Sequence, residues 1–325
     1  MIRSRENYDP GVWDTTKDNG VSNLRTQSEA LAKIVVDRFY PNFSLFPLRD
    51  GHHMCELYML DVPEKRKILK IFPYPRLAAG EAYLLGAWKL LGIPVPNIVQ
   101  TDLSHSTIPY SFTVMDYVQF DKEKNLNNLN DHEIPEILAE LVSYLRTAHQ
   151  IELQSFGWIN FQSDYSGDNS WVETMRKVVN GRGRLLVSKG ILRESALKGF
   201  EHITQEAAEV VVQGFLLHGD LTPSNVLLRG SQVAGIIDPD PISGDGLYDL
   251  AYLLTSSIAL SKDEYEEFAL IMYLKRRPTG DELNRLGVYK GVALMRQVGA
   301  SIKWNFNDHN LPARINKLQD IIKRF

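Results

Sequence analysis

Three polar side chains of the kind used in phosphoryl transfer lie close together in the second half of the chain. Residues 218–225 read His-Gly-Asp-Leu-Thr-Pro-Ser-Asn, and Ile-Ile-Asp follows at 236–238. In phosphoryl transfer an aspartate takes the proton of the acceptor hydroxyl, while an asparagine and a second aspartate hold the Mg²⁺ that neutralises the phosphates. The H-x-D-x-x-x-x-N spacing matches such a loop. The pattern therefore provides a candidate base, Asp220, and two candidate metal ligands, Asn225 and Asp238.

The segment between the two candidate ligands has the pattern of a β-hairpin. Apolar runs at 225–228 and 233–237 flank Arg-Gly-Ser-Gln, in which the glycine can supply a positive φ. Folding the hairpin would bring Asn225 and Asp238 side by side. Two oxygen ligands at its open end suit a hard cation that takes further ligands from phosphates and water, so Mg²⁺ is the natural candidate. An Asp-Pro-Asp turn is the plain structural alternative, but the order of the motifs favours catalysis.

A lysine and a glutamate near the N-terminus are predicted to meet. Lys70 lies on one face of a predicted strand, 67–72, together with apolar neighbours, because strand side chains alternate. Glu81 shares the inward face of a predicted helix, 77–91, with Leu84, Leu85, Trp88 and Leu91. A buried ammonium needs an anion. The two residues therefore form either a structural ion pair or a phosphate-positioning pair.

The segment 216–254 resembles the aminoglycoside phosphotransferase and choline kinase superfamily. The similarity is strongest in HGDLTPSNVLL, IID and GDGLYDLA, and it weakens toward both ends of the chain. It implies a bilobal, protein-kinase-like fold. It also implies that Asp220 is the catalytic base, that Asn225 and Asp238 bind Mg²⁺, that His218 braces the loop and that Asp249 gives structural support.

The same resemblance assigns the nucleotide site. It implies that Lys70 and Glu81 place the α- and β-phosphates of ATP or GTP. It also implies that the backbone from Asp116 to Val118 hydrogen-bonds the purine, although side-chain identity reveals such contacts poorly. The expected cofactors are therefore a purine nucleoside triphosphate and Mg²⁺.

The distribution of predicted elements gives an α+β fold with a small antiparallel sheet and a mainly helical second lobe. Predicted strands lie at 43–48, 54–62, 67–72 and 112–118, and most later segments read as helices. We expect an N-terminal extension at 1–20, a nucleotide-binding N-lobe at 21–118 and a C-lobe with the catalytic loop and acceptor site at 119–325. The turn after the first strand contains a single glycine, so it is either a hairpin turn or a weak phosphate loop.

Composition excludes several other classes of protein. The formal net charge of −4 gives no electrostatic case for a nucleic-acid partner. A single cysteine, Cys55, rules out an intrachain disulfide, and no apolar run is long enough to cross a membrane. We expect a cytoplasmic protein. The sequence leaves its oligomeric state undefined.

The expected activity is transfer of a γ-phosphate to a hydroxyl of a small molecule, and an antibiotic of aminoglycoside or nucleoside type is one candidate acceptor. Residues 262–325 contain twelve Lys or Arg against eight Asp or Glu, which favours a neutral or weakly cationic acceptor over a heavily aminated sugar. A protein Ser/Thr kinase is one alternative, but no activation segment is recognisable after Asp238. A nucleotide-binding pseudoenzyme is another, but the residues that such a protein loses are present.

Overall fold

The computed structural model describes residues 19–48, 54–62, 65–159, 167–257, 259–304 and 308–325. The expected extension, up to residue 18, and the turn at 49–53 lie outside the described residues. Asn19 and Gly20, which were assigned to the extension, instead begin the first helix, α1 (Asn19–Phe39).

The N-terminal part is a five-stranded antiparallel sheet with two helices. Its strand order is β1-β2-β3-β5-β4, and Lys70 of β3 pairs with Leu57 of β2 and Thr113 of β5. One face of the sheet packs against α1 through a core that includes Val35, Leu69 and Phe112. The elements are β1 (Ser44–Leu48), β2 (Glu56–Val62), β3 (Lys65–Phe72), α2 (Pro75–Leu90), β4 (Ile98–Asp102) and β5 (Ser111–Asp116).

The C-terminal part is mainly helical, with a four-stranded sheet in the order β6-β8-β11-β7 and a separate hairpin, β9-β10. This confirms the predicted α+β, kinase-like architecture. The elements are α3 (Ile134–Ala148), β6 (Glu152–Leu153), β7 (Gly157–Trp158), α4 (Trp171–Ser188), α5 (Glu194–Glu209), β8 (Gly214–Leu217), β9 (Val226–Arg229), β10 (Gln232–Ile236), β11 (Ile242–Gly244), α6 (Gly246–Ser256), α7 (Asp263–Leu274), α8 (Gly280–Trp304) and α9 (Leu311–Arg324).

Helix α2 connects the two parts of the molecule. It begins at Pro75, whose fixed φ suits the first helical turn, and Gly92 just beyond its end has φ +76°. Trp88 is fully buried, and its ring lies 5.7 Å from that of His218 in the C-terminal part. Leu91 was predicted to belong to the apolar stripe, but this was wrong. It caps the helix and is 38% exposed, because the stripe ends with the last helical turn.

The first helix of the C-terminal part, α3, buries one apolar face. Leu138, Leu141, Val142 and Leu145 are all buried. His149 caps the helix with its backbone N–H, and its buried ring contacts the Tyr273 hydroxyl. It is thus a buried histidine with hydrogen-bond partners for both ring nitrogens.

Among the helices in the described part of the chain, none combines the length and the apolar character that crossing a bilayer requires.

Candidate active site

The loop between β8 and β9 places Asp220 against the segment that contains Asp238. Gly219 has φ +76°, and a Cβ atom at this position would lie 2.1 Å from the Asp240 carbonyl oxygen. The Asp240 amide donates to the His218 carbonyl oxygen at 2.9 Å. The loop can approach this closely because glycine has no side chain and tolerates a left-handed backbone.

Asp249 and His218 stabilise the loop between β8 and β9 through hydrogen bonds. The fully buried Asp249 carboxylate accepts the backbone amides of His218 at 2.7 Å and Gly219 at 2.9 Å, and it also contacts His149 at 3.2 Å. Burial lowers the pKa of His218, which keeps the ring neutral. Its Nε2 lies 3.0 Å from the Ile237 carbonyl oxygen, and its Nδ1 accepts the Asp220 amide at 3.3 Å. These partners assign the proton to Nε2 and tie the loop to the strand before Asp238.

The hairpin brings Asn225 and Asp238 together as its pattern predicts. The turn is at Gly230 and Ser231, and the Ile237 amide donates to the Asn225 carbonyl oxygen at 2.9 Å. Asn225 Nδ2 lies 2.8 Å from the Asp220 carbonyl oxygen and 3.4 Å from the Asp238 carbonyl oxygen. Because both partners are carbonyl oxygens, which only accept hydrogen bonds, the atom facing them must be the amide nitrogen. The amide oxygen Oδ1 of Asn225 therefore points away from these two carbonyl groups.

Lys70 lies between two carboxylates. Its ammonium is 2.8 Å from Glu81 Oε2 and is also hydrogen-bonded to Asp238 Oδ1. Lys70 and Glu81 are 4% and 2% exposed, whereas the Asp238 side chain is 43% exposed. Burial would lower the pKa of Lys70, but the charges of Asp238 and Glu81 raise it well above its usual value. The lysine is therefore a fixed positive charge held at the mouth of a cleft.

Asp238 has a backbone conformation that is uncommon for a residue with a side chain. Its φ is +55°, in the left-handed region, at a cost of about 1–3 kcal/mol. The hairpin fixes its backbone from one side, and Lys70 holds its carboxylate from the other. The conformation aims the carboxylate into the cleft, and such strain is typical of functional sites.

The environment of Asp220 raises the pKa of its carboxyl. Withdrawal from water raises the pKa of its carboxyl to about 6, and the negative charges of Asp238 and Asp240 add to this effect. The charge of Arg296 and a hydrogen bond from Tyr252 act in the opposite direction. A carboxylate with a pKa near 6 is mostly ionised at neutral pH and accepts a proton more readily than an ordinary aspartate.

Sequence reasoning missed Arg296, whose guanidinium makes several hydrogen bonds beside Asp220. Its Nη1 donates to the Gly219 carbonyl oxygen at 2.8 Å and to the Tyr248 hydroxyl at 3.0 Å, and its Nη2 lies 3.0 Å from Asp240 Oδ2. Trp158 Nε1 donates to the same Asp240 oxygen at 2.8 Å. Arg296 lies on α8, far from the loop in sequence, and the residues around it do not indicate that it binds the loop. The same contacts engage the Asp240 carboxylate with Arg296 and Trp158.

A cavity of about 500 Å³ collects most of the predicted site residues. Its lining includes Lys70, Glu81, Asp220, Asn225 and Asp238. No group of three or more His, Cys, Asp or Glu side chains that could hold a metal occurs within the described ranges. The oxygen atoms of Asn225 and Asp238 suit Mg²⁺, provided that phosphates and water complete its coordination.

The structure places the predicted purine-binding residues outside this cavity. Asp116 ends β5, where its carboxylate pairs with Lys67 at 2.8 Å and its amide donates to the Asn97 carbonyl oxygen at 2.9 Å. Val118 packs over Gly235 of the hairpin, where a Cβ atom would lie 3.0 Å from its Cγ1. Purine binding by this backbone stays a prediction.

Comparison with known families identifies one match. The model of the phosphotransferase enzyme family matches residues 56–280, which contain Lys70, the loop at 218–225 and the hairpin. The search of curated proteins found no match.

Solved structures share the fold at low sequence identity. A thermostable mutant of aminoglycoside phosphotransferase APH(4)-Ia, in a ternary complex with ADP and hygromycin B, has a TM-score of 0.67 and 15% identity, covering 90% of this chain and 97% of that one. A second mutant of the same protein, in a ternary complex with AMP-PNP and hygromycin B, has a TM-score of 0.66 and 17% identity, with 90% and 97% coverage. The putative fructosamine-3-kinase of Thermobifida fusca YX-ER1 has a TM-score of 0.63 and 18% identity, with 91% and 98% coverage.

Proposed function

The chain belongs to the phosphotransferase enzyme family, and we propose that it transfers the γ-phosphate of ATP to a hydroxyl group of a small molecule. The observation that carries this proposal is the convergence of five side chains on the lining of one cavity: Lys70, Glu81, Asp220, Asn225 and Asp238. They come from a strand, a helix, a loop and both ends of a hairpin. A cation, a tuned base and two oxygen ligands are the parts that phosphoryl transfer needs.

The nucleotide would bind with its phosphates beside Lys70. In the structure Lys70 neutralises Asp238, and an incoming triphosphate would compete for the same ammonium. Glu81 would keep the lysine aimed at the phosphates when Asp238 turns to the metal. The ADP and AMP-PNP in the APH(4)-Ia complexes favour ATP as the donor for this chain as well.

Asn225 and Asp238 would hold Mg²⁺, which supplies charge neutralisation on the phosphates. Asp220 would accept a hydrogen bond from the acceptor hydroxyl and take its proton as the acceptor oxygen bonds to the γ-phosphorus. The bond from that phosphorus to the β–γ bridging oxygen breaks, so the products are ADP and a phosphate monoester. Arg296 and Asp249 would act on the loop backbone, keeping Asp220 in place during the transfer.

Two observations favour a small acceptor and an active enzyme. Between Asp238 and the start of α6 at Gly246 the chain forms β11 directly, which leaves no room for a protein-kinase activation segment. All the side chains that a pseudoenzyme would be expected to lose are present and lie together. The hygromycin B complexes make an aminoglycoside one candidate acceptor, although the basic C-terminal region favours a less cationic alcohol.

Substitution of the candidate metal ligand tests the proposal. ATP consumption would be followed with and without Mg²⁺ across aminoglycosides, nucleoside-type antibiotics, amino alcohols and sugars. Asp238→Ala should abolish Mg²⁺-dependent phosphorylation, because it removes a carboxylate that would hold the metal. Asp37→Ala, at an exposed position of α1, is the matched control and should retain full activity. Undiminished turnover in Asp238→Ala would refute the metal assignment.

A further inference from the structure

One buried amide in the cavity has an unpaired oxygen. Gln297 lies on α8 and lines the same cavity as Asp220. The residue is 6% exposed, and its Oε1 has no hydrogen-bond partner in the part of the chain that the structure describes. A buried amide oxygen without a donor costs free energy, and such groups are rare in folded proteins. The unpaired oxygen of Gln297 therefore points to a donor that a bound molecule supplies.

A contact with α6 fixes the orientation of this amide. The Gln297 amide faces Thr255 Oγ1 at 3.4 Å. That hydroxyl donates its single proton to the Ala251 carbonyl oxygen at 2.8 Å, so it offers only a lone pair to Gln297. The atom that faces it must be the amide nitrogen, Nε2. Oε1 therefore points away from Thr255, and turning the amide over would bring two hydrogen-bond acceptors face to face.

Gln297 lies close to the proposed base. Thr255, which Gln297 contacts, follows Tyr252 by three residues on α6, and Tyr252 hydrogen-bonds the Asp220 carboxylate. Side chains three residues apart on a helix are neighbours, with Cβ atoms about 5–6 Å apart. Asp220, Tyr252 and Gln297 all line the cavity. A molecule about the size of one sugar ring could therefore contact Asp220 with one hydroxyl and Gln297 with another.

The charges of the cavity lining favour an uncharged donor. The lining carries equal numbers of cationic and carboxylate side chains. Arg296, next to Gln297 in sequence, pairs with Asp240 at 3.0 Å, and Arg314 of α9 pairs with Asp308 at 2.7 Å. Withdrawing a charged group from water is costly unless it gains a partner of opposite charge. A charged acceptor would have to break one of these pairs, whereas a hydroxyl can donate to Gln297 with both intact.

We propose that the acceptor is an uncharged polyol that binds the protein at two points. Its reacting hydroxyl donates to Asp220, and a second hydroxyl donates to Gln297 Oε1. Gln297 then selects for the second hydroxyl, because an analogue that lacks it would leave the amide oxygen buried and unpaired. This inference rests on the proposed phosphotransferase function and names the class of its acceptor.

The effect of substitution on stability separates this role from a structural one. Gln297→Leu removes the unpaired oxygen at the cost of the long contact with Thr255, so the melting temperature should stay the same or rise. Gln319→Leu on α9 is the matched control. Gln319 Nε2 donates to the Ile191 carbonyl oxygen at 2.7 Å, and the residue lies outside the described cavity lining. The control should lower the melting temperature and leave acceptor binding unchanged.

Ring alcohols test the class of acceptor: glucose, myo-inositol, their analogues that each lack one hydroxyl, cyclohexanol, and glucosamine in its ammonium form. Binding to the full chain would be measured by calorimetry in saturating Mg²⁺ and ADP. The better of the two polyols should bind about tenfold or more tightly than cyclohexanol, and more tightly than glucosamine. At least one of its deoxy analogues should bind about tenfold more weakly, since it leaves Gln297 Oε1 unpaired.

Removing the amide should remove this discrimination between ligands. In Gln297→Leu the better polyol should bind about tenfold more weakly. The deoxy analogue that lacks the matching hydroxyl should bind the variant at least as tightly as the wild type, because the two deleted groups interact only with each other. ADP affinity should stay unchanged, which identifies a correctly folded variant. Gln297→Met, with an unbranched side chain, should give the same result and so exclude an effect of side-chain shape.

Several results would overturn the inference. These are no binding of either polyol, tightest binding of glucosamine, or the same preference among deoxy analogues in the wild type and both Gln297 variants. A melting temperature lowered as far by Gln297→Leu as by Gln319→Leu would also contradict it. Phosphorylation of another acceptor that depends on Asp238 would then leave the phosphotransferase function standing. Conversely, polyol binding that depends on Gln297, without transfer to any acceptor, would count against the function and not against the polyol site.

Discussion

Replacing Tyr252 by phenylalanine should change the pH at which Asp220, the proposed base, gains its proton. In the structure Tyr252 donates a hydrogen bond to Asp220, whose pKa is raised to about 6 mainly by burial. The hydrogen bond stabilises the carboxylate, so its loss should raise that pKa further. A hydrogen bond to a charged group is worth about 1.5–3 kcal/mol, and water in the cavity would replace part of it. A net rise of about one pKa unit follows, since one unit corresponds to about 1.36 kcal/mol.

The size of the effect on rate follows from the ionised fraction of Asp220. With a pKa of about 6, about nine-tenths of the carboxyl is ionised at pH 7, and after a rise of one unit about half is ionised. Activity of Tyr252→Phe should therefore fall about twofold at pH 7, nearly tenfold below pH 6, and recover at pH 8.5.

The assay is the pH dependence of kcat/KM for the nucleotide, with an acceptor from the panel held constant, because this ratio reports the pKa of the enzyme before nucleotide binds. Tyr144→Phe is the matched control. Tyr144 also donates to a carboxylate, Glu140, at 2.8 Å, but it does not line the cavity. The reasoning would be refuted if kcat/KM of the wild type fell in acid with an apparent pKa below 5. It would also be refuted if that apparent pKa were the same in Tyr252→Phe and the wild type.

Three further substitutions have defined outcomes. Gly219→Ala should abolish activity and lower the melting temperature, because its Cβ would lie 2.1 Å from the Asp240 carbonyl oxygen; a fully active variant would contradict the packing of this loop. Trp88→Ala should lower the free energy of unfolding by about 3–5 kcal/mol in urea titrations, since this fully buried ring joins α2 to the larger core; a loss below about 1 kcal/mol would show that α2 is held by other contacts. Asp249→Asn should reduce stability at pH 7 and flatten its decline in acid. Burial alone would raise the pKa of Asp249, but hydrogen bonds from His149 and the loop amides lower it overall. The contribution of Asp249 to the free energy of unfolding is therefore complete above about pH 4 and is lost as pH falls through the lower pKa of the folded state. An unchanged pH–stability curve would contradict this role.

Contacts between residues close in sequence were predictable, because side chains on strands and helices repeat with a known period and a hairpin returns the chain to its starting point. Alternation on β3 placed Lys70 on the face toward the cleft, and helical spacing placed Glu81 within 2.8 Å of it. The turn at Gly230 predicted the return of Asp238 to Asn225. In each case only one or two secondary-structure elements separate the two residues along the chain, so the sequence pattern was sufficient to predict that they meet.

The parts that failed depend on tertiary packing. Leu91 has the spacing of the apolar stripe but lies at the helix end, where the next turn is missing. Arg296 and Tyr252 reach Asp220 from α8 and α6, and nothing in their own neighbourhoods distinguishes them from ordinary helix residues.

The most direct test of phosphoryl transfer at this site is mass-spectrometric detection of a phosphorylated acceptor with Asp220→Asn as the comparison. The wild type should convert one acceptor of the panel to its phosphate monoester with one ADP formed for each product. Asp220→Asn should bind nucleotide normally and form product about a hundredfold or more slowly, as expected for loss of a general base. Product formation at the wild-type rate in Asp220→Asn would contradict the assignment of the base and, with it, the mechanism.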